Sequence, residues 1–114
     1  MSFSIDNNYP FYGQYMPSIN FLSEDTNLSN QQYSGHLFLY NKKTSSNLVL
    51  TLPTTPEFVG ISLIFKNPNL YYNIESTSNN IKQIDGTLSN LICGPDNFSN
   101  IIFDGTNWLV AITN

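Results

Sequence analysis

Phe103-Asp104-Gly105-Thr106-Asn107-Trp108-Leu109-Val110-Ala111-Ile112 sets two apolar runs on either side of a polar turn. Asp-Gly between alternating apolar segments is a strong short-range hairpin signal, because glycine reaches positive φ without a steric penalty. Asp104 and Gly105 therefore form the turn, and Trp108 opens the final strand. A large aromatic at that position fills a core or a seam between subunits. The hairpin closes the chain next to Asn114, so the C-terminus is expected to be pinned into a sheet.

Working back from this hairpin, β signals are continuous to Gly35. His36-Leu37-Phe38-Leu39-Tyr40 reads as a strand ended by Asn41-Lys42-Lys43. Asn47 to Leu52 reads as a second, stopped by Pro53 and Pro56, which cannot donate to a ladder. Gly60 to Phe65 is a third, Leu70 to Ile74 a fourth and Ile81 to Ile84 a short fifth before the turn Asp85-Gly86. Leu88 to Cys93 is a sixth, followed by the turn Gly94-Pro95-Asp96-Asn97 and the strand Phe98 to Phe103. Short strands at regular spacing, with turn chemistry between them and no helical periodicity, indicate an all-β domain. The expected architecture is a compact antiparallel β-sandwich or β-prism-like knob over residues 35–114.

Residues 1–34 differ. Phe3, Tyr9, Phe11, Tyr12, Tyr15 and Phe21 follow neither a period of 2 nor one of 3.6, and Pro10, Gly13 and Pro17 interrupt any regular element. The polar stretch Ser23 to Gln32 follows. A sticky aromatic segment with a polar spacer reads as an extended arm that packs on a partner. An irregular strand folded back on its own domain is the competing reading.

The 114-residue length allows one domain. Charged residues make up 11% of the chain, against ~25% in ordinary domains. Weak charge repulsion of this kind suits a protein inside an assembly, although an AT-rich genome, whose codons favour Asn, Ile, Tyr and Phe, produces the same composition. A domain this small, with no disulfide to help, commonly gains stability and hides sheet edges by oligomerising.

The four basic residues, all lysines, stand against eight acids for a net charge of −4. A cluster able to hold phosphates or an anionic membrane is missing, so neither nucleic acid nor membrane is expected as a partner. No apolar run approaches the ~20 residues that span a bilayer, and the N-terminus lacks the pattern of a signal peptide, so the chain reads as soluble.

The single Cys93 has no partner for an internal disulfide and no companions for a zinc site. Within Leu91-Ile92-Cys93-Gly94 it reads as a small buried hydrophobe. His36 is the one histidine, with no nucleophile motif to serve. Asp85, Asp96 and Asp104 fit turns better than a pair of catalytic carboxylates. No phosphate loop, dinucleotide fingerprint or calcium loop occurs. No catalytic residue, metal or cofactor is expected. Tyr71 and Tyr72 are candidate glycan contacts, since aromatic faces stack on sugars.

The order of motifs from Leu48 to Ile112 resembles the small β modules of bacteriophage head and tail fibres and related virion decoration proteins. The matching residues are Leu52-Pro53, Gly60 to Asn67, Tyr72-Asn73-Ile74, Ile84-Asp85-Gly86 and Asp104-Gly105-Thr106-Asn107-Trp108. The resemblance implies a homotrimeric structural protein on the virion surface, assembled in the host cytoplasm, with no catalytic residues. Without a long repetitive shaft, the chain would be a short knob or decoration subunit bound to a capsid or tail protein through its arm. A receptor- or glycan-binding module at a fibre tip, and a non-viral β-sandwich interaction module, are the alternatives.

Overall fold

The structure, a computed structural model, describes residues 19–28, 36–53 and 59–113. Among them the chain forms strands and no helix: β1 Ile19–Leu22, β2 Thr26–Asn27, β3 His36–Asn41, β4 Leu48–Thr51, β5 Ser62–Asn67, β6 Ile74–Ser76, β7 Ile81–Lys82, β8 Leu88–Ser89, β9 Leu91–Cys93, β10 Asn97–Phe103 and β11 Trp108–Thr113. The large sheet has the order β1-β3-β5-β10-β11-β7-β8, and the small sheet β2-β4-β6-β9.

The all-β class is as the sequence indicates, but the pairing is mixed rather than antiparallel. β1, β3 and β5 run parallel in the large sheet, and β2, β4 and β6 run parallel in the small one. The chain thus coils, laying one strand in each sheet per turn. Parallel neighbours need a crossover of a dozen or more residues, and here the strand in the opposite sheet supplies it in place of a helix. The antiparallel expectation failed because it joined consecutive strands as hairpins, whereas β3 and β4, or β5 and β6, lie in different sheets.

The turn of β3 and β4 superposes on that of β5 and β6 at a separation of 26 residues, whereas Ile19 of β1 pairs with Phe38 and Thr26 of β2 with Leu50, at shorter spacings. Asn41 Nδ2 donates to Asn67 Oδ1 at 2.9 Å, Asn69 Nδ2 to the Lys43 carbonyl at 3.0 Å, and the Asn73 amide to Asn47 Oδ1 at 2.9 Å. Thr51 and Thr77 pair through their hydroxyls at 3.1 Å. Alternation sends Leu37, Leu39, Leu63 and Phe65 of the large sheet inward against Leu48, Leu50, Ile74 and Ile92, and all eight are buried. Each such side chain contributes ~1.5–3 kcal/mol by leaving water.

After β6 the pattern changes. The hairpin β10–β11 lies antiparallel against β5 and ends the parallel run, and β9 does the same to β6. The stretch expected as one strand from Leu88 to Cys93 is divided: β8 pairs with β7 in the large sheet, while β9 belongs to the small one. The expected strand from Leu70 begins only at Ile74. The Tyr71 and Tyr72 amides are held by Asn69 Oδ1 at 2.9 and 3.3 Å, which takes them from any ladder and turns the chain at a corner.

The expected arm also needs a new boundary. Residues 19–28 place β1 and β2 in the two sheets, Leu22 packs on the core, and Leu28 is buried within it. Residues 1–18, including Phe3, Tyr9, Phe11, Tyr12 and Tyr15, lie outside the described residues, as do 29–35.

Candidate functional site

Trp108 lies at the joint between the coil and its closing hairpin. It is fully buried, its ring is 5.0 Å from that of Phe103, and its indole Nε1–H donates to the Pro53 carbonyl at 2.9 Å. Its backbone amide donates to the Asn80 carbonyl. A buried indole with its one donor satisfied is a structural anchor and offers no face to a ligand. The preceding turn is equally committed: Asp104 Oδ1 accepts the Thr106 and Asn107 amides at 2.8 and 2.7 Å, and Gly105 takes φ 104°. These bonds hold the Asp104 carboxyl below its ordinary pKa, the Asn107 amide contributing most.

The corner between β5 and β6 presents Leu70 and Tyr71 to solvent, Tyr71 at 80% exposure. Its rigidity comes from two asparagines. Asn67, fully buried, accepts from Asn41 Nδ2 and the Asn69 amide and donates to the Tyr72 and Gly94 carbonyls at 2.8 and 3.0 Å. All four hydrogen-bonding positions of that amide are therefore used. Asn69 fixes the next two amides, as above. Tyr71 and Tyr72 do not act as a pair of equal platforms, since Tyr72 is half-buried and only Tyr71 stands free of the corner.

The second candidate surface is the outer face of the large sheet. Two ladders cross it: Ile19, Phe38, Ile64 and Asn100 share one register, and Phe21, Tyr40, Lys66 and Phe98 share the next. Phe21 is 59% exposed. It meets Tyr40 edge-on at a ring separation of 5.3 Å and lies 5.6 Å from the Lys42 ammonium. No strand of this sheet contains Asp or Glu.

Other polar chemistry is spent on holding the fold. Asp25 Oδ1 bridges Lys43 Nζ at 2.9 Å and the Val49 amide at 3.0 Å, and these bonds, Lys43 first, lower its pKa. Asp85 is lowered by the Thr87 amide and hydroxyl. Cys93 is buried, and burial pushes its thiol pKa up, away from the reactive thiolate. His36 opens β3 opposite Ser62; its side chain is outside the described residues. Among the described residues no three His, Cys, Asp or Glu side chains gather as a metal site, and no helix is long and apolar enough to cross a membrane. An open groove of about 480 Å³ runs beside Lys82, Ile84, Gly86, Asp104, Leu109 and Ala111, but its carboxylate is the one already bound to the Asp104 turn.

The outer sheet face was missed by sequence reading, which took Phe21 as part of an arm. Alternation of Phe38 and Tyr40 with Leu37 and Leu39 was the available signal: apolar residues occupy both phases of β3, so both sides of the strand are apolar. Comparison with protein-family models, curated proteins and solved structures finds no match to this chain.

Proposed function

We propose that this chain is a virion structural protein: a small trimeric β knob, serving as a capsid-decoration or fibre subunit and attached to the particle through residues at its N-terminus. The observation that carries the reading is the largely apolar outer face of the large sheet, whose strands contain no Asp or Glu and whose ladders hold one cation, Lys66. A face of this kind belongs against protein, and the side chains that could do chemistry are instead bound into turns and corners. The order of motifs from Leu52-Pro53 to Trp108 supports the virion setting. The partner is a capsid or tail structural protein, and neither a cofactor nor a catalytic step is required.

Because β1 and β2 complete the two sheets, the attachment segment is residues 1–18. Deleting 1–18 is expected to leave a β-rich oligomer by circular dichroism and light scattering that no longer joins particles during assembly. Incorporation of the shortened chain at the normal level would overturn the attachment role.

The exposure of Tyr71 on a locked corner favours a second reading, a glycan-binding module at a fibre tip, in which Tyr71 stacks on a sugar ring. Tyr71→Ala abolishing binding to a host-surface glycan array, with the fold unchanged, would move the assignment to that reading.

A further inference from the structure

We propose that residues 19–28 form a strap that opens as a unit while the rest of the β body stays folded, with the Asp25 carboxylate as its clasp. This rests on the attachment reading above and adds to it. The strap joins the attachment segment to the body, so its opening lengthens the tether.

Position and burial set the strap apart. Among the described strands β1 is the outermost of the large sheet on its side, and β2 that of the small sheet. Both can therefore leave from an edge without disturbing another pairing. Of residues 19–28 only Leu28 is buried, with Leu22 packed partly against the core, whereas most of β5 is buried. Ile19 and Phe21 stay exposed with the strap closed. Regions with few buried apolar groups open at a lower cost than the molecule as a whole.

Two kinds of contact close the strap. Towards its ends, the Lys42 amide donates to the Leu22 carbonyl at 2.8 Å and the Leu28 amide to the Thr51 carbonyl at 2.7 Å. Between them Asp25 Oδ1 accepts from Lys43 Nζ at 2.9 Å and from the Val49 amide at 3.0 Å. Lys43 is itself held, since its amide donates to Asn41 Oδ1 and its carbonyl accepts from Asn69 Nδ2. One carboxylate thus ties the strap both to a fixed corner and to β4. Opened, residues 19–28 supply about 33 Å of extended chain between the attachment segment and the body.

The test is amide hydrogen exchange of the full chain, read residue by residue and corrected for intrinsic rates. Leu28, Lys42 and Val49 are the reporters, because each of their bonds crosses the seam between strap and body. The Trp108 and Ser76 amides, which donate to the Asn80 and Asn90 carbonyls, are bonded within the body. The three reporters should share one opening and exchange roughly a hundredfold faster than those two. Asp25→Ala should speed the reporters by a further factor of about five to ten, with Trp108 and Ser76 unchanged. Asp25→Asn keeps an acceptor for the Val49 amide and removes the charge facing Lys43, so its increase should be smaller. Equal protection of the reporters and Trp108 in the wild type overturns the strap. Unchanged reporter rates in Asp25→Ala, or equal acceleration at Trp108, overturn the clasp. Normal particle incorporation of a chain lacking residues 1–18 would overturn the attachment reading and with it the tether role, while the exchange rates alone decide the strap.

Discussion

The coil from β1 to β6 and the closing segment from β7 to β11 are both β structure around one core, yet they are specified differently. In the closing segment two pairs of neighbours in sequence are neighbours in space, β10 and β11 joined through Asp104-Gly105 and β7 and β8 through Asp85-Gly86, while β9 returns to the small sheet beside β6. In the coil, neighbouring strands belong to separate sheets. Their partners lie a full turn away, joined by side-chain bonds such as Asn41 to Asn67. One region is fixed by turn chemistry and the other by buried amides that register one turn on the next. Parallel pairing of this kind leaves corner backbone groups without ladder partners, and asparagine, with both donor and acceptor, satisfies them.

Removing the joint between the two regions should have the largest effect. Trp108→Ala leaves a cavity beside Phe103 and strands the Pro53 carbonyl, for an expected loss of ~3–5 kcal/mol in urea unfolding. That is a large fraction of a small domain's stability. A variant that folds with near-normal stability would show that the regions do not depend on this anchor.

Asn67→Ala should come next and act on the coil. It strands the buried Gly94 carbonyl and Asn69 amide and the half-buried Tyr72 carbonyl, at ~1–3 kcal/mol for each group that water does not reach. A net loss of about 3 kcal/mol is expected. Amide exchange should rise first at the corners after β3 and β5, with the β10–β11 hairpin less affected. Gly105→Ala is the matching change in the closing segment. The φ of 104° excludes an ordinary side chain, although a Cβ there meets Val59 Cγ2 only at 3.5 Å. Backbone strain alone should cost ~1–2 kcal/mol, with increased exchange confined to the hairpin. If both variants loosen the whole molecule equally, the distinction between the regions fails.

The smallest effect is with pH. Asp25, Asp85 and Asp104 all have pKa values lowered by hydrogen bonds that exist only in the fold. Their contribution is present above the unfolded aspartate value of ~3.9 and is lost as pH falls through the lower folded values. Stability should therefore be level in this respect from neutral pH down to ~5 and decline in acid. Asp104→Asn should reduce that decline slightly, since the group is exposed. An unchanged acid profile would remove Asp104 from the account.

The contrast also explains what could be read from the sequence. The Asp-Gly turns, Trp108 and the strand from Phe98 to Phe103 were legible because local chemistry determines them. The coil was legible only as isolated strands. Its period is present in the chain, where Asn41 and Asn67, Asn47 and Asn73, and Thr51 and Thr77 repeat at a constant interval. A comparison of the chain with itself at fixed offsets would have exposed it. β1 and β2 were hidden because they are short and sit at the edges of their sheets; only Leu22 and Leu28 contribute to the core. Leu70 and Tyr71 passed for strand residues because their apolar character, not the amide capture by Asn69, dominates the local pattern. The outer face needed the register of four strands before its apolar ladders could be assembled.

The coupling between Asn41 and Asn67 tests most directly whether side chains register one turn of the coil on the next. Urea unfolding of Asn41→Ala, Asn67→Ala and the double variant completes a double-mutant cycle. With a 2.9 Å bond between two buried amides, the predicted coupling is ~1–2 kcal/mol. Strict additivity of the two substitutions would contradict the account.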